Sequence, residues 1–413
     1  MRQIVFSGLF FLCLCVVDDS CSPADFILEE EFHKEDYLKA FDMSERFSGG
    51  YSMCESDSAL YFSHYGMSSE YIWYYDKKTG KVGKLCGKPE CTHETAQCNA
   101  YSIIAGNLNL YDGKLYWTGS YEQKGTYLQC MDLDGNNRRV LKTYPDANGL
   151  NIVFRLHRGY LYCGRIIHEV VGGKASARVL LTQEEIENPK DEDRIIVFEN
   201  NYSGDSTPQI QYVLSGNTLY LAVSGQDQSE NYSLEFYTYD TAARTLKCIE
   251  EQKESKYSLL DLQMDKSGIY LVERTVISGK YDILIKRYDP SSEVLTVYDE
   301  QPQQSPLMYH KVNGYTLNYS RGFEELPQYT VMKEDGTVWR KGKLKPPVTD
   351  FRFCNIAYWG WTDDFLIFDM EYYKLNEDGS VNVAFELIAV PFNPAASEKT
   401  LWHYDDVYQN SST

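Results

Sequence analysis

ILIKRYDPSSEVLTVY, residues 283–298, is a strand-like run, rich in branched and aromatic side chains, that ends at Tyr288-Asp289, crosses a short polar turn and resumes as a second such run. Two such runs on either side of a Pro/Ser turn are the mark of two antiparallel strands. The same form occurs in YIWYYDKKTGKVGKLC (71–86), YLQCMDLDGNNRRVL (127–141) and LEFYTYDTAARTLKCI (234–249). In each, a strand closes on an aromatic or Leu with Asp, a polar turn follows, and a short strand completes the pair.

Upstream of these stretches lies a second recurring element, an apolar residue followed by Tyr: Leu60-Tyr61, Leu115-Tyr116, Leu161-Tyr162, Leu219-Tyr220 and Ile269-Tyr270. Thr316-Leu317 and Leu366-Ile367 stand in equivalent places, giving successive spacings of 55, 46, 58, 50, 47 and 50 residues. Turn sequences such as YDGK (111–114), SGNT (215–218) and VNG (312–314) precede the anchors, and their Gly and Asn supply the positive φ of tight hairpins. Each unit therefore reads as four antiparallel strands in 45–58 residues.

A four-stranded unit cannot cover both of its faces alone, whereas radial stacking on copies of itself covers both. The chain is expected to be all-β, a seven-bladed β-propeller over residues 48–405, with six or eight blades as the margin, since the unit at 151–200 is irregular. Its LTQEEIENPKDEDR stretch (181–194) reads as a long polar excursion with one helical turn. Immunoglobulin-like units would be nearer 100 residues long, and the 3.6 period of a helical solenoid is absent. Residues 406–413 read as a tail.

Of the 413 residues, 14% are aromatic and 35 are Tyr, a composition suited to strands. The net charge of −20 repels phosphate backbones and argues against nucleic acid as a partner. At the N-terminus an apolar run from Ile4 to Val17 follows Arg2; its fourteen residues are too few to span roughly 30 Å of hydrocarbon but suit a signal peptide. Residues 1–22 are read as that export signal, with Cys21 after Ser20 as the candidate lipidation site. Residues 23–47 are read as a tether or short helix. The expected location is outside the cytoplasm, secreted or lipid-anchored at the cell surface.

The strongest chemical constellation is CGKPECTHETAQC, residues 86–98. It falls on the connector between the first two blades, crossing their interface. Three readings compete. An exported chain sits where disulfides persist, and a Cys91–Cys98 bridge would close a small loop, worth on the order of 2–3 kcal/mol. Cys86, Cys91, His93 and Cys98 are also the correct ligand types for closed tetrahedral zinc. Third, the cysteines pack as reduced side chains. Export favours the disulfide and His93 favours the metal. Cys54, Cys130, Cys163, Cys248 and Cys354 sit in strand contexts as small buried apolar residues, with Cys54 or Cys130 near enough in sequence to join the cluster.

Catalytic motifs are wanting. No G-x-S-x-G, H-E-x-x-H or G-x-G-x-x-G occurs, and DLDGNN (132–137) lacks the closing Glu of a calcium loop and reads as a hairpin turn. His157, His168 and His310 are candidate bases at a channel mouth, with structural roles as the plainer reading. Tyr121, Tyr232, Tyr319 and Tyr372 are candidates for its rim. Any of the 60 acidic residues, Asp282 or Asp363-Asp364 for instance, could be nominated for paired-carboxylate chemistry.

The repeated anchor, the Asp-led turn and above all the connector LCGKPECTHETAQCNAY (85–101) resemble uncharacterised β-propeller lipoproteins of anaerobic gut bacteria. The resemblance covers most of residues 50–400, with specificity in the connector. It implies an exported, surface-tethered propeller and carries over no catalytic residue; Asp18, where such signals place a Leu-like residue, departs from the pattern. The sequence thus points to a cell-envelope module that binds a protein partner or a glycan at the channel mouth. The alternative is a carbohydrate-active enzyme, glycoside hydrolase or polysaccharide lyase, using the same mouth.

Overall fold

The computed structural model describes residues 53–408 except 65–70, 103–105, 121–124, 146–151, 172–173, 187–188, 190–192, 204–206, 227–231, 266, 278–279, 304–306, 321–325, 345–351 and 377–379. The proposed export signal, Cys21 and the segment 23–47 lie outside the described residues.

The chain forms seven sheets, each of four strands consecutive in sequence, with every neighbouring pair antiparallel. This is a seven-bladed β-propeller, all-β, with no helix among the described residues. The first strands are Met53–Glu55, Gly106–Tyr111, Ile152–His157, Gln209–Ser215, Ser258–Asp265, Leu307–Val312 and Arg352–Trp361. Those of blades one, two and three, and of blades four, five and six, neighbour one another in turn, which marks the first strands as the inner ring.

Every sequence anchor falls in the second strand of its blade. Leu60 and Tyr61 lie in Ala59–His64, Leu219 and Tyr220 in Thr218–Gln226, and Leu366 and Ile367 in Phe365–Leu375. The reason is packing. In blade four, Leu219, Leu221 and Val223 face blade three while Tyr220 and Ala222 face blade five, and all five are buried. A strand covered on both faces needs an unbroken apolar run, and the apolar-Tyr pair is its signature here. Each of the seven inter-blade seams has its own buried cluster.

All four strands of blade seven come from one stretch of chain, so among the described residues no strand is exchanged to close the ring. Closure is by side chains: Leu401 and Trp402 of the last strand (Lys399–Tyr408) pack with Met53, Leu60 and Phe62 of blade one. The Trp402 ring lies edge-on to Phe62 at 5.6 Å and to Trp73 at 5.3 Å. Lys399 Nζ donates to the Tyr75 hydroxyl at 2.6 Å.

Two expectations are corrected. The stretch at 181–194 begins as strand: Lys174–Glu185 pairs along the second strand of blade three, and Thr182, Gln183 and Glu184 are buried. Their polar side chains find partners inside: Thr182 Oγ1 donates to Glu184 Oε1, and Glu184 pairs with the Lys142 ammonium from blade two. The final strand also runs through Tyr408, so Asp406, Val407 and Tyr408 belong to the propeller and not to a tail.

Candidate metal centre

The fourth strand of blade one is only Val82–Lys84. Beyond it the connector folds back onto the blade: Ile72 N–H donates to Ala100 O at 2.8 Å, and Tyr71 bridges Tyr101. The connector thus completes the outer edge that the short strand leaves open. Turns closed by Cys91 N–H to Lys88 O and Cys98 N–H to Thr95 O lie within it, and His93 takes a left-handed backbone, φ 60°.

These turns bring Cys86 Sγ, Cys91 Sγ, a His93 ring nitrogen and Cys98 Sγ within 4.8 Å of one another. His93 Nδ1 is 3.3 Å from Cys98 Sγ. Tetrahedral zinc with thiolate and imidazole ligands places its donor atoms about 3.5–3.8 Å apart, so the cluster has the donor set and nearly the spacing of a closed Cys₃His site. All three cysteines are unbridged, with no bond between Cys91 and Cys98, the pair that the spacing pointed to. A disulfide would use two of the four groups and leave His93 without a task.

The electrostatics are those of a thiolate site. Burial opposes the Cys86 thiolate, but N–H groups of Lys88 and Asn99 and the thiols of Cys98 and Cys91 donate to it, and the net direction is down. Burial pushes Cys98 up to about 12 against the Ala100 N–H. A bound divalent ion would ionise all three thiols. Lys84 supplies a nearby positive charge: its ammonium lies 3.7 Å over the Tyr71 ring and donates to His93 O at 3.0 Å.

The hairpin turn of blade two locks the connector from the other side. Gly87 N–H donates to Gly135 O at 3.0 Å, and Asn99 Nδ2 donates to the same oxygen at 2.8 Å. Arg138 donates to the carbonyls of Cys98, Asn99 and Tyr101. Gly135 has φ 80°, and a Cβ there would lie 2.6 Å from Gly87 N. DLDGNN is therefore a turn, as read, but one that also docks on the cluster; the sequence shows the turn and carries no signal for its target. Beside Arg138 the connector and blade two leave an open cleft of about 360 Å³, walled by Gln97, Asn99, Tyr127 and Gln129.

The remaining singled-out residues scatter. Cys54 lies in the core between blades one and two, and Cys130 and Cys163 in that between blades two and three, so neither Cys54 nor Cys130 joins the cluster. Cys248 is exposed, against expectation, because its strand Thr245–Ser255 forms the outer edge of blade four. Tyr319 and Tyr372 are fully buried core residues. His168, Asp363 and Asp364 are exposed and not brought together with the others. His157 is buried and its Nε2 lies 2.7 Å from Gly216 O of blade four, a tie between blades.

His310 has different company. On the inner strand of blade six, its Nδ1 lies 3.2 Å from Gln263 Nε2 and 3.7 Å from Asp261 Oδ2, both of blade five. Its ring stacks on Tyr319 and lies 4.7 Å from that of Tyr358 of blade seven. Burial raises the Asp261 carboxyl against hydrogen bonds from Gln263 and the Leu262 N–H and against the charge of Arg155. Sequence reasoning missed Asp261, Gln263 and Tyr358, which sit in ordinary alternating strands.

No known protein family matches the chain, and no curated protein does. Solved structures of similar shape include prolyl oligopeptidase B from Galerina marginata, at 12% identity and TM-score 0.55, over 90% of this chain and 52% of that one. A prolyl endopeptidase matches at 10% identity and TM-score 0.53, over 89% and 52%. An oligogalacturonate lyase from Vibrio parahaemolyticus matches at 12% identity and TM-score 0.47, over 81% and 91%. The chain spans about half the length of the two peptidases. At these identities the likeness is one of fold: the chain is a seven-bladed β-propeller module carrying a Cys₃His cluster between its first two blades.

Proposed function

We propose that the chain is an exported, surface-tethered propeller that acts as a binding module, its first two blades pinned by one structural zinc ion on Cys86, Cys91, His93 and Cys98. The convergence of these four donors within 4.8 Å carries the metal assignment. Four protein ligands leave no open position for water or substrate, so the ion would hold structure and not perform chemistry. The connector is a sensible place for it, since a radial array is held in register by neighbour contacts alone.

The binding role rests on the propeller itself, in which loops of all blades converge at the channel mouth. A protein or a glycan is the partner class there, and Cys21 is the anchor site. Purified protein should contain one zinc per chain, with the cluster thiols reactive only after chelation; absence of metal with protected thiols would replace the zinc by a disulfide. A glycan array and a pull-down from envelope extract test the docking. Cleavage of an arrayed glycan would favour the glycoside hydrolase or polysaccharide lyase alternative.

A further inference from the structure

The cleft beside Arg138, about 360 Å³ and open to solvent, lies outside the channel, between the connector and the outer half of blade two. Tyr127 and Gln129 stand two apart on the third strand of that blade, Thr126–Asp132, and so share one face of it. Val140 sits opposite Gln129 on the outer strand, Arg139–Tyr144, and is 53% exposed. Gln97 and Asn99 of the connector complete the lining.

Two amides in this lining are fixed in orientation. Arg138 Nε and Nη2 both donate to one atom of the Gln129 amide, at 3.0 and 2.8 Å. A guanidinium has donors only, so that atom is the oxygen. Gln129 is 7% exposed, and its Nε2 is left with two N–H groups that have no hydrogen-bond partner among the described residues. Asn99 is fixed the other way: its Nδ2 donates to Gly135 O at 2.8 Å, which leaves Oδ1 as an acceptor. The same guanidinium donates to the Asn99 carbonyl at 3.2 Å, so the two residues are held side by side. Buried polar groups are nearly always paired, and a fixed donor beside a fixed acceptor that the fold leaves open is completed from solvent.

The chemistry of the lining selects the solute. A donor beside an acceptor matches a secondary amide, whose C=O accepts and whose N–H donates. Charge plays no part. Arg138 is engaged with Gln129 and with three backbone carbonyls, Arg139 turns its Nε to Cys130 Sγ, and no carboxylate lines the cleft among the described residues. Val140 offers apolar surface for a methyl group, and Tyr127 is the residue type that lays an apolar ring and a polar tip against a sugar. A peptide presents the same amide but also larger side chains, for which this mostly polar lining holds no pocket. We propose that the cleft binds an N-acetylhexosamine unit of a glycan, its acetamido oxygen on Gln129 Nε2, its acetamido N–H on Asn99 Oδ1 and its ring against Tyr127. This site goes beyond the channel-mouth reading and does not depend on it.

Titration of the full-length chain with N,N′-diacetylchitobiose, read by calorimetry, tests it. Cellobiose is the control, the same disaccharide with hydroxyls in place of the acetamido groups. One saturable site is expected for the first sugar, with cellobiose weaker by about tenfold or more, the fold-change of about one hydrogen bond. Gln129→Glu keeps an oxygen for Arg138, so it should retain the wild-type thermal transition and metal content. It also turns an acceptor on the acetamido oxygen, so it should abolish binding. Tyr127→Ala, at a half-buried side chain, should weaken diacetylchitobiose by about tenfold. Absence of saturable binding to folded protein, equal affinity for cellobiose or for the peptide unit N-acetylalanine methylamide, or affinity unchanged in both variants would overturn the proposal. Docking at the channel mouth should be unchanged in Gln129→Glu, so failure of either site is read apart from the other.

Discussion

Nδ1 of His93 lies 3.3 Å from Sγ of Cys98, closer than the widest separation in the cluster and on the far side of two turns from Cys86. A left-handed His93 backbone holds it there. The two atoms are within hydrogen-bond distance as they stand, and on the metal reading both would bind one ion, whereas a Cys91–Cys98 disulfide would leave the His93 ring outside the staple.

Replacing His93 by Ala should therefore cost zinc. Wild-type protein with zinc at a hundredfold its dissociation constant gains about 2.7 kcal/mol over the metal-free form. His93→Ala should lose most of this and unfold at a lower denaturant midpoint, unmoved by chelator. Metal content and midpoint are read on the same samples. An unchanged midpoint in the variant would support a Cys91–Cys98 disulfide.

Gly135→Ala should weaken the connector from a distance in sequence. Its Cβ would press on the backbone of Cys86 and Gly87, which cannot swing away as a side-chain tip can. A destabilisation of about 1–3 kcal/mol is expected, with faster zinc loss to a chelator. Gly113→Ala is the control: it also has positive φ, but nothing lies within 4 Å of the added carbon. It should show the backbone strain alone, roughly 1 kcal/mol, and normal zinc retention.

The repeat was legible because the second strand of each blade must be apolar on both faces, and Leu60-Tyr61 or Leu219-Tyr220 cannot be read as a one-sided strand. The four cluster residues were legible because they are local. Gly135 and Arg138 were not, since their partners lie some forty residues earlier and a hairpin turn looks the same whether or not it docks. Asp261 and His310 are further from reach: they lie on inner strands of different blades, and only the fold brings them to 3.7 Å. The 181–194 stretch misled for a related reason, because Thr182, Gln183 and Glu184 are polar yet buried with partners supplied by the fold.

Stability should fall with rising pH through Asp369. Burial, then the charge of Glu371, raises its carboxyl from 3.8 to about 8. Below about pH 4 the folded and unfolded chains both keep the proton. Between there and pH 8 only the folded chain does, so stability drops as pH rises and then levels off. Relative to Asp369→Asn, the urea midpoint of the wild type should decline across that window; parallel curves would exclude the effect.

Lys286 neutralises two acids, Glu273 at 2.8 Å and Glu250 at 2.6 Å, and the Glu273 side chain is fully buried. Lys286→Met should cost about 3–5 kcal/mol, because it strands a buried charge. Adding Glu273→Gln should recover much of that loss. A midpoint series of the single and double variants checks both steps.

The seam between Trp402 and Phe62 sets an order of events during synthesis. Each blade is built from consecutive strands, so six blades can settle as they leave the ribosome, one against the last. The outer face of blade one cannot. Phe62 and Trp73 wait for residues 399–408, the last strand of the seventh blade. A message truncated before Lys399 would yield an open ring with an adhesive apolar face at one end, which makes the final strand a checkpoint that separates finished molecules from unfinished ones.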